Sequence, residues 1–150
     1  MNKSLLSTVF AATLCTLAAG VSAAPATEAN AYLQTCLPLN TVKTLTGLPL
    51  TATSRNDAPQ ISCSYNDSEQ LSRQSRVSYG RDPSYRSAFG ESDIMHKVEG
   101  LGRFAEFDSD AGQLYVNVGS DGLMFEGRKG KTKLTLEQLK AIAQAVLGGE

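Results

Sequence analysis

Histidine occurs once in this chain, at His96, and the surrounding DIMHKVE places no partner at the spacing that a zinc site or nucleophilic triad needs. A lone polar histidine of this kind reads as a surface or packing residue. The G-x-S-x-G elbow of serine hydrolases is missing although serine is plentiful. No C-x-x-C pair is present, which argues against a thioredoxin-like redox site. Basic excess is lacking too: Lys and Arg number 14 against 15 Asp and Glu, without the footprint of a dedicated nucleic-acid binder. Beyond the first residues no apolar run could span a membrane, and no repeat or low-complexity tract occurs. The expectation is a protein that is not an enzyme, with no cofactor, no metal and no nucleic-acid partner.

What is present begins with MNKSLLSTVFAATLCTLAAGVSAAPA, which has the layout of a secretory signal peptide. Lys3 supplies the positive region, Leu5 to Ala19 the apolar region, and VSA before Ala24 a cleavage site with small residues. Thr13, Thr16 and Gly20 break the run, so it is too short for a membrane span. Leu14 precedes Cys15, where a lipoprotein signal would place a small residue, so no stable membrane anchor is expected. The reading is a signal peptide over residues 1–23 and one secreted domain over 24–150, periplasmic after cleavage near Ala23. Cleavage leaves 127 of the 150 residues, enough for one ordinary domain, and takes the net charge to −2. It also removes Cys15 and leaves Cys36 and Cys63, an even count that reads as a disulfide. Closing that loop contributes about 3.5 kcal/mol in the chain-entropy model.

Along the mature chain, Ala24 to Ala31 is small and polar and reads as a mobile leader. LPLNTVKTLTG follows as a short helix, with Pro38 at its start, Leu39, Val42 and Leu45 on one face and Gly47 as the C-terminal cap. QISCSY alternates, with Ile61, Cys63 and Tyr65 facing one way. NDSEQ turns the chain into LSRQSRVSYG, a strand firm from Arg76 to Tyr79. Asp82-Pro83 signals a helix start, with Tyr85, Ala88 and Phe89 at helical spacing, and the stretch from Gly90 to Val98 reads as continued helix or loop. RFAEF, QLYVNVG and LMFEG form a three-strand antiparallel meander, joined at DSDAG and at SDG, where Asp-Gly suits a type I′ turn. TLEQLKAIAQAVLGG opens with a capping box from Thr135 to Gln138 and carries one apolar stripe. The fold class is α+β: an antiparallel sheet of the meander plus additional strands, packed by a short N-terminal helix and a C-terminal amphipathic helix.

Two motifs imitate ligand sites. Gly100-Leu101-Gly102-Arg103-Phe104-Ala105 spells the dinucleotide fingerprint G-x-G-x-x-A. A true fingerprint lies between a strand and a helix, because the phosphates rest on the helix N-terminus. Here a strand and a hairpin follow, so the glycines read as architecture that allows a sharp entry into a strand. Asp108 to Gly112 resembles the start of a calcium loop but lacks the third ligand and the closing glutamate, and reads as a hairpin tip.

Cys36, LTGLP, CSY, VEGLGRFA, a valine-rich strand and a final amphipathic helix follow one another in an order that resembles a family of small secreted bacterial domains of unknown function. Many members of that family are actinobacterial lipoproteins. The resemblance rests on the two cysteines, on LTG after the first helix, on Tyr65 two residues past the second cysteine, and on GLG before a short strand. It implies a compact sandwich of PsbP-like type, and the family brings no catalytic residues to carry over. This chain departs from many members by lacking the lipidation cysteine.

Arg73, Arg76, Arg81 and Arg86 are interleaved with Tyr79 and Tyr85 in SRQSRVSYGRDPSYRS, the most distinctive polar stretch of the chain. Arginine and tyrosine dominate interface hot spots. Arg76 and Tyr79 point to opposite strand faces, and Tyr79 shares its parity with Val77, which makes it a core residue. The expected partner-binding residues are therefore Arg76, Arg81, Tyr85 and Arg86. The expected function is a protein-recognition module of the periplasm or secreted space, of immunity type or associated with the envelope. Its partner would be another envelope or secreted protein. The alternative is a carrier of a small apolar or lipid-like ligand held between the sheet and the last helix, and an unrecognised hydrolase ranks last.

Overall fold

A computed structural model describes residues 28–67, 74–83 and 94–148. Among these residues three helices, α1 (Glu28–Tyr32), α2 (Leu39–Thr46) and α3 (Leu136–Gly148), accompany eight strands. These are β1 (Ala52–Asn56), β2 (Ser62–Asn66), β3 (Ser75–Asp82), β4 (Met95–Val98), β5 (Phe104–Asp108), β6 (Gln113–Val118), β7 (Asp121–Lys129) and β8 (Thr132–Lys133). They form one antiparallel sheet in the order β1-β2-β3-β7-β6-β5-β4, with β8 paired to β7. The α+β class and the β5-β6-β7 meander are as the alternation in the sequence implies. No helix among the described residues is long and apolar enough to cross a membrane.

Strand parity divides the sheet into an apolar face and a polar one. Cys63, Tyr65, Val77, Tyr79, Leu114, Val116, Leu123 and Phe125 all lie on the first and are buried. The Tyr65, Tyr79 and Phe125 rings stack across three strands with centroids 6.0 and 5.6 Å apart. Leu139, Ile142, Ala143 and Val146 of α3 close over this face, at the i, i+3, i+4, i+7 spacing of an amphipathic helix. The capping box forms as its residues require. The Gln138 amide N–H donates to Thr135 Oγ1 at 3.3 Å, and the Thr135 amide N–H donates to Gln138 Oε1 at 3.0 Å. Gln138 Nε2 also donates to the Thr46 carbonyl at 2.8 Å, which fastens the start of α3 to the end of α2. Gly47, at φ 69°, ends α2 in the left-handed conformation that glycine adopts without strain.

Cys36 and Cys63 form a disulfide, with Cα atoms 5.6 Å apart. A closed hydrogen-bond ring reinforces it. The Leu37 amide N–H donates to Tyr79 Oη at 2.8 Å, the two phenol oxygens lie 3.0 Å apart, and Tyr65 Oη donates to the Leu37 carbonyl at 2.8 Å. Since Tyr65 spends its proton on Leu37, the Tyr79 hydroxyl donates to Tyr65, whose oxygen also bonds the Thr53 side chain. Burial pushes both phenols up in pKa. The Cys36–Leu37 segment before α2 is thus held to the sheet by one covalent link and by two hydrogen bonds of this ring.

Three sequence expectations change, and a fourth falls outside the described residues. From Glu28 onward the leader read as mobile is helix α1, because Ala29 and Leu33, four residues apart, are both fully buried. The end of the stretch read as helix or loop is strand β4, whose Val98 is buried and whose other residues pair with β5. The helix placed at Tyr85, Ala88 and Phe89 lies outside the described residues, and Asp82 itself ends β3. The β6–β7 turn sits at Gly119-Ser120, two residues before Asp121-Gly122, since Val118 pairs with Asp121. Gly119 has φ 89° and no non-glycine residue among the described residues has positive φ, which matches type II′ rather than I′. The glycines of GLGRFA do shape a strand entry: Gly100 and Gly102 have φ 82° and 54°, and β5 starts at Phe104. A Cβ on Gly102 would collide with the Asn117 main-chain oxygen.

Candidate functional site

The face of the sheet away from the helices is polar, and its side chains form cross-strand rows. One row runs Ser64, Ser78, Glu126 and Gln113 across β2, β3, β7 and β6. Glu126 is its hub. Ser78 Oγ donates to Oε1 and Gln113 Nε2 to Oε2, both at 3.0 Å, and Tyr115 Oη donates to Gln113 Oε1 at 2.7 Å. Burial, with the charges of Asp82, Asp108 and Glu126, raises the Tyr115 pKa.

The neighbouring row is cationic. Arg76 on β3 stands directly opposite Arg128 on β7, and Arg128 stands directly opposite Lys133 on β8. Like charges directly opposite one another in a sheet are destabilising. These residues border a cleft of about 260 Å³ that Lys131, from the β7–β8 turn, also lines. Among the described lining residues Glu126 is the acid against four cations. Its carboxylate lies 3.8 Å from Arg76 Nη2 and is already engaged by Ser78 and Gln113. Arg128 and Lys131 are exposed and make no ion pair among the described residues. Lys133 donates from Nζ to the Asp110 carbonyl, and its stem lies against Gly112, where a Cβ would collide with it.

The expected site residues are dispersed. Arg76 stands in the cationic row, with 48 % of its side chain exposed. Arg81 has the opposite parity and binds Asp121 through Nε and Nη2, both at 3.1 Å, with Asp121 only 8 % exposed. That fork is a structural clamp between β3 and β7. Tyr85 and Arg86 lie outside the described residues. Tyr79 is a core residue, 1 % exposed. His96 is exposed on edge strand β4. The Asp108–Gly112 segment is a turn in which the Ala111 amide N–H donates to Asp108 Oδ1 at 2.7 Å. Sequence reasoning passed over Arg128, Lys131 and Lys133, although GRKGKTK, residues 127–133, is the densest basic run in the chain.

No family model matches this chain, and no curated protein or solved structure matches it.

Proposed function

We propose that the chain is a non-enzymatic recognition module of the periplasm or secreted space, exported by its N-terminal signal and holding an acidic partner on the polar face of its sheet. The single observation that carries this reading is the row Arg76–Arg128–Lys133 beside Lys131. A sheet gains nothing from three cations in direct register, and the one carboxylate among the described lining residues, Glu126, pairs with Arg76 alone and also accepts from Ser78 and Gln113. Such an arrangement attracts an anion, which steers encounter and sets register more than it adds raw affinity. The disulfide suits an oxidising compartment. The resemblance to small secreted bacterial domains supports the same setting and places no chemistry on the surface.

One observation favours a second reading, the carrier. A cleft of about 590 Å³ opens beside the disulfide, lined by Tyr32, Cys36, Leu37, Pro38 and Val146 among others. It differs from the space between sheet and last helix, where Leu114, Val116, Leu139 and Ile142 are fully buried. Native mass spectrometry of gently purified protein tests it through a co-purifying apolar ligand. The recognition reading is tested by affinity capture from the extracytoplasmic fraction, with wild type and the Arg128→Gln/Lys131→Gln double variant side by side. The expected result is a partner retained by wild type, released by salt and lost on the double variant at unchanged thermal midpoint. The same partners on both proteins would contradict the assignment of the face.

A further inference from the structure

We infer that the cleft at the β3, β7 and β8 end of the sheet is a phosphoryl-binding site, its ligand a phosphate or pyrophosphate group carrying at least two negative charges. The inference rests on the recognition reading above and specifies what that surface recognises. The charge count favours a multivalent anion. Arg76, Arg128, Lys131 and Lys133 face one another around about 260 Å³, against one carboxylate that already accepts from Ser78 and Gln113. A single carboxylate ligand would leave most of that positive charge unmatched. The donor types agree. Two guanidinium forks in direct cross-strand register offer paired N–H groups to neighbouring oxygens, which a tetrahedral oxyanion supplies and a planar carboxylate supplies less fully. The two lysines add point charges from the third side, and Lys133 is steadied by the Asp110 carbonyl and by its packing on Gly112. The volume suits a small group rather than a broad protein epitope, lying just under the usual range for ligand pockets.

The free site also carries a signature in stability. The Arg128 side chain makes no hydrogen bond or ion pair among the described residues, and it faces a cation on either side. Its removal therefore relieves repulsion and leaves packing untouched. A residue whose loss leaves the fold as stable or more so, yet removes binding, is held for its ligand.

The test is calorimetric titration of the protein, expressed from its full sequence and purified as the cell processes it, with inorganic pyrophosphate, inorganic phosphate and acetate. Flotation with neutral phosphatidylcholine vesicles and with vesicles containing phosphatidylglycerol runs in parallel. Pyrophosphate should bind saturably and acetate should not. Arg128→Gln should weaken pyrophosphate about tenfold, the loss of one charge-assisted fork, at a thermal midpoint equal to or above wild type. Lys43→Gln on α2 serves as the remote control and should change affinity less than about twofold. Binding of pyrophosphate alone identifies a soluble or polymer-borne phosphate, and added flotation with phosphatidylglycerol identifies a lipid headgroup; either supports the site. Equal weakening by Arg128→Gln and Lys43→Gln would overturn it in favour of diffuse charge. An acidic protein partner captured through this face, with pyrophosphate inert, would overturn the phosphoryl site and leave the recognition reading standing.

Discussion

Replacing Tyr79 by Phe keeps the ring stack on Tyr65 and Phe125 and removes one oxygen from the centre of the fold. That oxygen accepts from the Leu37 amide at 2.8 Å and, 3.0 Å from Tyr65 Oη, donates to it. The variant therefore loses two hydrogen bonds and takes the acceptor from a main-chain N–H. A net bond contributes about 1 kcal/mol and an unsatisfied buried donor costs about 1–3 kcal/mol, so the expected loss is about 2–3 kcal/mol. For a domain of about 120 residues the unfolding entropy is about 0.25 kcal/mol/K, and the midpoint should fall by about 8–12 °C. Thermal unfolding followed by circular dichroism, with the disulfide kept oxidised, reads this directly. Tyr65→Phe breaks the same ring at its other phenol. Because both single variants lose the shared Tyr65–Tyr79 bond, the double variant should cost about 1 kcal/mol less than the sum. A midpoint within about 2 °C of wild type for Tyr79→Phe, or strict additivity in the double variant, would refute the closed ring.

The same phenols set an alkaline limit. Unfolded tyrosine ionises near pH 10, whereas Tyr65 and Tyr79 are held above that value by burial, so above about pH 10 the unfolded state sheds protons that the native state retains. The unfolding free energy from urea titration should be level through neutral pH and fall above about pH 10, by up to about 1.4 kcal/mol per pH unit for each tyrosine; an unchanged value at about pH 11.5 would exclude this. Two glycine substitutions should separate conformation from contact. Gly100→Ala meets open space and costs about 1 kcal/mol for its positive φ, while Gly102→Ala also strikes the Asn117 oxygen and should cost more than twice that in chemical denaturation. Arg81→Gln should lower stability by about 1–2 kcal/mol through the lost fork on Asp121, whereas Arg76→Gln should change it by less than about 0.5 kcal/mol. Equal losses would mean that both arginines are clamps.

Much of the architecture is legible because period-two alternation survives wherever one strand face is buried. Cys63 and Tyr65, Val77 and Tyr79, and Leu114 and Val116 each mark a strand correctly by parity. Strand β1 escapes notice for the same reason. All five residues of Ala52–Asn56 are exposed, so ATSRN bears no apolar rhythm and its conformation is imposed by pairing with β2. Helix α1 spans five residues, and its signal is reduced to the spacing of Ala29 and Leu33. The β6–β7 turn slips because glycine stands at both 119 and 122, and only pairing tells which one turns. The candidate site was half visible. Arg76 stands out in its own strand, but its neighbours Arg128 and Lys133 lie about fifty residues later and reach it only through the register of β3, β7 and β8. Local sequence grouped Arg76 with Arg81, which strand parity puts on the opposite face.

The cationic row of Arg76, Arg128 and Lys133 should be where this protein meets its ligand. An isotope-labelled sample titrated with pyrophosphate and followed by amide chemical shifts tests that residue by residue. Saturable shifts should centre on Arg76, Gly112, Arg128, Lys131 and Lys133 and need about tenfold more pyrophosphate in Arg128→Gln, while the amides of Cys36, Leu37 and Val146 beside the disulfide stay still. Shifts centred on those last residues, or small shifts spread over every surface lysine and arginine, would contradict it.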